Sequence, residues 1–537
     1  MTTSPSAPDS RSTVREPGHP QTASQPKKTA VTSMHNASNG VRQTRETGCE
    51  TASAETARVR EEVARKRAEV MFHALPPEIH ELGRLFADHG HELALVGGPV
   101  RDAVLGRSSA DLDFTTSARP EQTEDILRGW SSAIWDMGRD FGTIGAARGD
   151  LKVEITTYRT EQYDATSRKP VVAYGDSLEG DLSRRDFTVN SMAVRLPTLE
   201  FVDPFDGLGD LARGLLRTPV DPRQSFDDDP LRMMRAVRFV SQLDMSIAPE
   251  TAAAIDDMAA RIEIVSAERV RDELVKLMLG GKPRRGLELM TDLGLAQYVL
   301  PELPGMRLTI DEHHRHKDVY QHSLTVLDQA IDLESPAGSG GPCESPDLIL
   351  RLAALMHDVG KPATRRFEAG GVVTFRFHEV VGAKMTAKRM KALAFDKDTT
   401  KKVSRLVELH LRFHGYGDGA WTDSAVRRYV TDAGDLLQHL HRLTRADCTT
   451  RNKRKAQGLS RAYDNLEQRI EELAAREEIA KIRPDLDGRD IMEILGIGPG
   501  RDVGQAYRYL LDHRMEHGPS SREEAKALLL QWWNNRM

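Results

Sequence analysis

The stretch LVGGPVRDAVLGRSSADLDFTT, residues 95–116, restricts the fold more tightly than any other part of this 537-residue chain. An apolar strand, ELALV, runs directly into Gly97 and Gly98, and a helix is predicted to begin at about Pro99. Backbone N–H groups at such a strand-to-helix turn can cradle phosphates, although a Gly-Gly pair by itself is also an ordinary tight turn. Asp111 and Asp113 then flank Leu112 in a second apolar strand. Residues i and i+2 of a strand point to the same face, so both carboxylates converge on one place. Two acids held together repel unless cations neutralise them, and hard oxygen ligands at this spacing suit Mg²⁺ held together with substrate phosphates.

The rest of the chain is too long for a single core: at roughly 100 to 200 residues per domain it predicts three or four units. With 39% apolar and 29% charged residues it reads as soluble and globular. There is no apolar run of about 18 residues and no apolar core near the N-terminus, so the expected location is the cytoplasm, with no membrane span. Cys49, Cys343 and Cys448 show no CxxC spacing and are read as reduced and incidental. The net charge of −6 means that nucleic acid must be met by local basic surface. Residues 1–50 contain no Leu, Ile, Phe, Tyr or Trp, while 23 of the 50 are Ser, Thr, Pro or Gly. A disordered tail over 1–60 follows from that composition. A charged helix over 59–74 leads into an α/β unit over 75–215, then helical units over 216–305, 310–450 and 451–537.

Further candidates lie downstream. Glu154, in the strand-like VEITTYR, offers a third carboxylate. DLSRRDFTVNSMA places Arg184, Arg185 and Asp186 ahead of a helix-like stretch, with Asn190 one turn on, and guanidinium forks suit a triphosphate. In DDDPLRMMRAVRF, Asp229, Arg232, Arg235 and Arg238 recur at a spacing of three and share one face of a helix. Alone, such a pattern also reads as an intrahelical Asp–Arg ion pair.

Taken in order, GGPVRD, DLDF, RRDFTVNSMA, DPFDG, DDPLRMMRAVRF and ERVRDELVKLML resemble the class II tRNA nucleotidyltransferases and bacterial poly(A) polymerases of the polymerase β superfamily. The resemblance spans about residues 75–300. It implies an α+β polymerase β-like nucleotidyltransferase head (75–215), followed by a mainly α-helical neck with a base-template helix (216–305), a body and a tail. It further implies Mg²⁺ on Asp111 and Asp113 with Glu154 as a catalytic neighbour, and nucleotide contacts from Gly97, Gly98, Arg101, Asp102, Arg184, Arg185, Asp186, Asn190, Asp229, Arg232, Arg235 and Arg238. The base-template role has a chemical rationale. Cytosine and adenine present an amine donor beside a ring-nitrogen acceptor, which Asp229 and Arg232 complement; uracil and guanine present the reverse. Each mismatched buried polar group costs about 1–3 kcal/mol. The family's first acidic position is Glu, and here it is Asp228. Glu268, Arg269 and Glu273 are read as stabilising the neck.

A second constellation comprises His322, then His357–Asp358 at the end of an apolar helix, then His378, His410 and Asp447. It resembles the HD phosphohydrolase superfamily, with His378 and His410 where binuclear members carry extra ligands. The resemblance implies a domain over 310–450 that holds a divalent transition metal (Mn²⁺, Ni²⁺ or Co²⁺) or Mg²⁺ and hydrolyses phosphoesters such as 2′,3′-cyclic or 2′-phosphates. Lys361 is placed to meet a phosphate, and His313, His314 and His316 read as a polar loop.

Residues 451–537 carry 16 basic against 15 acidic side chains, with Arg451, Lys453, Arg454 and Lys455 as the densest basic cluster. The segment resembles the C-terminal tRNA-binding region of longer bacterial relatives. The expected activity is therefore addition or repair of the tRNA 3′-terminal CCA from CTP and ATP, with a fused phosphohydrolase and tRNA as partner. The alternatives are a poly(A) polymerase, a CC- or A-only enzyme, and an HD phosphohydrolase with a relict RNA-binding head.

Overall fold

The computed structural model describes residues 58–108, 112–162, 171–307, 318–370, 372–413, 421–450, 452–477 and 483–536. Asp111, His313, His314, His316, Arg451 and nearly all of the expected tail over 1–60 lie outside the described residues.

Helix α1 (58–73) precedes α2 (Pro77–Asp88), whose Ile79, Leu82 and Phe86 recur at helical spacing and are buried. Next come β1 (Leu93–Val96), α3 (Gly98–Val104), β2 (Leu112–Thr116), α4 (Pro120–Leu127), β3 (Ala133–Gly138), β4 (Thr143–Arg148), β5 (Leu151–Thr157), β6 (Arg159–Gln162) and β7 (Val171–Tyr174). Helix α5 (Leu178–Ser183), β8 (Ala193–Leu196), β9 (Glu200–Val202) and α6 (Gly207–Arg213) complete the α/β unit. The main sheet has seven strands in the order β3-β4-β5-β2-β1-β8-β9. Only β2 and β5 pair in parallel, which sets Asp113 opposite Glu154. Alternation decides the faces: Phe114, Val153 and Ile155 enter the core beneath the helices, so Asp113 and Glu154 emerge together on the other face, where both are exposed.

The helix-like stretch expected after Arg185 is instead a 3₁₀ turn over Thr188–Asn190 that leads into β8. The apolar residues of FTVNSMAV divide between two cores: Phe187 and Val189 enter the helical core, while Ala193 and Val194 pair with β1.

Beyond residue 216 the chain is almost entirely helical: α7 (Pro222–Asp228), α8 (Leu231–Leu243), α9 (Pro249–Met258), α10 (Ala267–Met278), α11 (Pro283–Asp292), α12 (Ala296–Val299) and α13 (Glu302–Gly305). Then follow α14 (Val319–Asp332), α15 (Leu348–Met356), α16 (Lys361–Thr364), α17 (His378–Ala392), α18 (Lys397–Leu409), α19 (Asp423–Ala433) and α20 (Leu437–Ala446). One apolar core, from Phe187 to Leu473, runs without interruption through these helices. The last segment holds α21 (Lys453–Glu477), α22 (Gly488–Leu495), α23 (Arg501–His517) and α24 (Arg522–Asn534), the last three around a small core of their own. Among the described residues no helix is long and apolar enough to cross a membrane.

The expectation of one helical face shared by Asp229 and Arg232 needs correction. Pro230 ends α7 and starts α8, so Asp229 is extended (φ −142°, ψ 98°) and stands before the helix that carries the arginines. The residue preceding a proline is driven out of the α region by contact with the ring.

Candidate functional site

Three features meet on the face of the α/β sheet that carries Asp113 and Glu154. The first is the carboxylate pair itself. Like charges directly opposite on neighbouring strands are destabilising, so this pair is the kind of place where a cation is wanted. The second is the strand-to-helix turn. Gly97 has φ +73°, a conformation that favours glycine, and a Cβ there would lie 3.0 Å from Nη1 of Arg185 and press on the guanidinium.

The third is a chain of hydrogen bonds. Arg101 donates to Asn190 Oδ1 (2.7 Å) and to Asp102 (3.0 Å), Asn190 donates to Asp186 (2.9 Å), and Arg235 donates to the other Asp186 oxygen (2.8 Å). Burial raises the Asp186 carboxyl, but Arg235 and Asn190 more than offset this and bring it down to about 2. Arg184 and Arg185 share the buried carboxylate of Asp181, at 3.4 and 3.2 Å. The sequence reading passed over Asp181, although its i,i+3 and i,i+4 spacing to the two arginines marks it as their partner.

At the start of α8, Arg232 is buried and donates to Ser225 Oγ (2.8 Å) and to the Arg184 carbonyl. Asp229 does not pair with Arg232; one oxygen accepts from the Leu231 N–H (3.1 Å) and the other from Arg269 of α10 (3.0 Å). Arg238 pairs with Glu273, also of α10, at 3.0 Å, and its guanidinium lies 4.3 Å from the Phe239 ring centroid. Helix α10 therefore braces the Asp229–Arg238 segment through Arg269 and Glu273, and Arg269 contacts the very carboxylate that the base-reading argument uses.

The second constellation also converges. Helices α14, α15, α17 and α20 and the end of α18 bring His322, His357, Asp358, His378, His410 and Asp447 together. His322 Nε2 lies 3.0 Å from Asp447 and 3.5 Å from Asp358, and His357 Nε2 lies 3.2 Å from Asp358. His378 Nε2 and His410 Nε2 lie 3.3 and 3.8 Å from the other Asp358 oxygen. Two three-donor sets result, His322/His357/Asp447 and Asp358/His378/His410, with Asp358 next to both. The Nδ1 atoms of His357, His378 and His410 donate to the carbonyls of Ala354, Phe375 and Val407, at 2.8, 2.7 and 2.7 Å. That fixes the tautomer and turns each Nε2 toward the centre, an arrangement that commonly supports metal ligation. Asp358 Oδ1 and His378 Nε2 are buried without a hydrogen-bond partner, so this donor set fits divalent cations. Burial pushes Asp358 up, and His357, His378 and Lys361 take it well below the usual carboxylate range. Burial and the charge of His357 push His410 down to about 3. Lys361, read as a phosphate contact, donates to Asp358 at 2.6 Å.

Cys343, Asp347 and His439 form another cluster of donors. Asp347 caps α15 at Leu350 N and accepts from His439 Nε2 at 3.0 Å, while burial and Asp347 push the Cys343 thiol up to about 12. A protonated thiol beside an occupied carboxylate is a hydrogen-bonded cluster, and it needs no ion. Lys453, Arg454 and Lys455 open α21 and are exposed.

Three family models match successive stretches of the chain. They are the Poly A polymerase head domain over residues 93–217, the probable RNA and SrmB-binding site of polymerase A over 244–306, and the HD domain over 319–452. The A-adding tRNA nucleotidyltransferase of Deinococcus radiodurans is 33% identical over 448 residues, covering 82% of this chain and 95% of that protein. The CC-adding tRNA nucleotidyltransferase of Thermus thermophilus is 30% identical over 452 residues, covering 82% and 94%. The CCA-adding enzyme of Levilactobacillus brevis is 39% identical over 270 residues, 49% of this chain and 66% of that protein. Among solved structures, the CCA-adding enzyme of Bacillus stearothermophilus in complex with CTP superposes with a TM-score of 0.62 at 23% identity, over 86% of this chain and 99% of that one. At that identity the likeness concerns the fold.

Proposed function

The chain belongs to the family of tRNA nucleotidyltransferases and bacterial poly(A) polymerases, and we propose that it builds or repairs the 3′-terminal CCA of tRNA from CTP and ATP in the cytoplasm. The observation that carries this reading is the unbroken hydrogen-bond chain from Arg101 through Asn190 and Asp186 to Arg235. It joins the glycine turn beside the Asp113/Glu154 face to the segment that bears Asp229 and Arg232. Triphosphate and base can thus be gripped by one connected set of side chains. Asp111 and Asp113, with Glu154 alongside, would hold Mg²⁺, whose charge offsets that of the triphosphate and favours ionisation of the RNA 3′-hydroxyl. The 3′-oxygen attacks the α-phosphorus in line and pyrophosphate leaves. Arg101, Arg184 and Arg185 orient the phosphates, and the backbone N–H groups near Gly97 and Gly98 donate to the phosphate oxygens. Asp229 accepts from the exocyclic amine of cytosine or adenine and Arg232 donates to the ring nitrogen. Arg269 on Asp229, and Ser225 and the Arg184 carbonyl on Arg232, are the contacts with which an incoming base competes.

A second reading, addition of A alone or of CC alone, is favoured by the names of the two relatives that match over most of their length. One experiment separates the readings. Purified protein with Mg²⁺ is given tRNA transcripts ending before the CCA, after its first C and after its second C, with CTP and ATP separately and together, and product ends are sequenced. Addition of C, C and A followed by arrest is the expected result, with Asp111→Ala inactive. A alone on the CC-ending transcript, CC alone on the shortest, or repeated A on any RNA identifies an A-adding enzyme, a CC-adding enzyme or a poly(A) polymerase.

For the second centre the reading is phosphoester hydrolysis at RNA ends that carry a 2′,3′-cyclic phosphate or a 2′-phosphate. His322, His357, Asp358, His378, His410 and Asp447 would hold one or two divalent ions, with Mn²⁺, Ni²⁺ or Co²⁺ suited before Mg²⁺, supplying a hydroxide for the attack. Bis-p-nitrophenyl phosphate and a cyclic-phosphate-ended RNA are the assay substrates, and His357→Ala is expected to lose turnover of both.

A further inference from the structure

Helices α17 and α18 are joined by residues 393–396 and pack along each other, and the groove on their outer side has no part in the two centres above. It encloses about 750 Å³. Ala387 and Phe395 contribute to an apolar floor, Lys384 and Lys391 line it from α17, and Lys397 and Lys401 line it from α18. All four lysines are exposed. Among the described residues none of them has a carboxylate partner, whereas Lys66, Lys282, Lys361 and Lys402 each pair with an acid. Arg405 and Glu408 also line the groove and pair with each other, and Arg405 further meets Asp432.

Four unneutralised ammonium groups around one groove, in a chain of net charge −6, are not what surface composition alone would give. Salt only partly screens exposed charges spaced by about a Debye length, roughly 8 Å, so these ammonium groups still repel one another and an anionic occupant relieves that repulsion. On a helix Lys397 and Lys401 stand about 6 Å apart along the axis and Lys384 and Lys391 about 10 Å, which spreads positive charge along the groove in place of concentrating it at one point. An extended polyanion fits that distribution better than a single phosphate. Lysine is a mobile point charge and suits sequence-independent contact with backbone phosphates, while an apolar floor accepts sugar and base faces.

We propose that the α17–α18 groove binds the phosphate backbone of the RNA substrate, an inference that rests on tRNA being that substrate. The groove is a holding surface, apart from both reactive centres. Its removal therefore weakens binding without altering the transfer step.

The test uses full-length protein and a tRNA transcript lacking CCA, with Kd measured by fluorescence anisotropy at several KCl concentrations. Single-turnover nucleotide addition is measured at saturating tRNA. For Lys384→Glu/Lys391→Glu/Lys401→Glu, Kd at physiological salt is expected to rise at least about tenfold, and the log Kd against log salt slope to become shallower by about two to three. The rate at saturating tRNA should stay within about twofold of wild type, which also shows that the variant is folded. The matching triple Lys→Arg variant, with charge retained, should bind as wild type does. Unchanged Kd and slope in a triple Glu variant of an otherwise active enzyme overturn the groove assignment alone. Failure of the wild type to extend any tRNA removes the functional reading and the groove assignment together. Displacement of labelled poly-glutamate that depends on the lysines, with tRNA binding unaffected, would replace RNA by an acidic protein segment as the occupant.

Discussion

Asp186 is buried, and its two oxygens are divided between Asn190 and the Phe187 N–H on one side and Arg235 on the other. Its carboxyl is brought down to about 2 from an ordinary value of 3.8, so its contribution to stability is complete above pH 4 and is lost as the pH falls from about 4 through 2. The shift corresponds to about 2 kcal/mol. Urea midpoints measured from about pH 5 to pH 2 should therefore fall more steeply for the wild type than for Asp186→Asn. At pH 7 that substitution leaves Arg235 without its counter-charge and should destabilise by about 3 kcal/mol. Asp113 is the opposite case: it is exposed, so Asp113→Ala should lower the thermal midpoint far less than Asp186→Asn while nucleotide incorporation drops at least about a hundredfold. In the histidine centre, Asp358 stands between two donor sets, so His378→Ala with His410→Ala should lower the Co²⁺ or Mn²⁺ content per chain relative to wild type, measured by elemental analysis. His357→Ala should impair the remaining set.

Arg351 on α15 shows how one helix fastens another. It is buried, donates twice to Glu334 at 2.6 and 2.7 Å, and donates with its remaining nitrogen to the carbonyls of Met278 and Gly280 at the end of α10. Those carbonyls lack partners within their own helix, and a cation there is favoured. Arg351→Met strands a buried Glu334 and should cost about 3–5 kcal/mol by thermal or urea unfolding, with most of it recovered in Arg351→Met/Glu334→Leu. At this scale the sequence was legible wherever the period was clear. The strands ending at Val96 and Thr157 and the helix from Gly98 were readable from apolar runs and glycines. The stretch after Arg185 was not, because Phe187, Val189, Met192 and Val194 follow neither a helical nor a strand period, and only pairing with β1 shows where the strand begins. Pro230 gave a readable warning that Asp229 would stand outside α8, and the Asp-x-x-Arg spacing masked it.

Across the whole molecule the two candidate sites share one chain but no side chains: the carboxylate face belongs to the α/β sheet and the histidine centre to the helical core. Their metal demands differ: carboxylates with phosphates suit Mg²⁺, and a histidine-rich set suits transition ions. Treatment with a strong transition-metal chelator followed by excess Mg²⁺ should leave nucleotide addition within about twofold and lower phosphodiester hydrolysis at least about tenfold. Asp113→Ala should give the reverse pattern in the same two assays. By itself the sequence determined which residue types were available and in what order: the acids around Leu112, the arginines after α5, and six histidines and aspartates spread from 322 to 447. Local spacing carries that much because strand alternation and helical period act over a few residues. The tertiary structure alone decided who pairs with whom. It gave Asp229 to Arg269, Arg238 to Glu273 and Arg235 to Asp186, over 40, 35 and 49 residues. It also made Asp358 the shared neighbour of two donor sets. Such partnerships depend on which helices the core presses together, and burial then forces each charge to find the nearest opposite one.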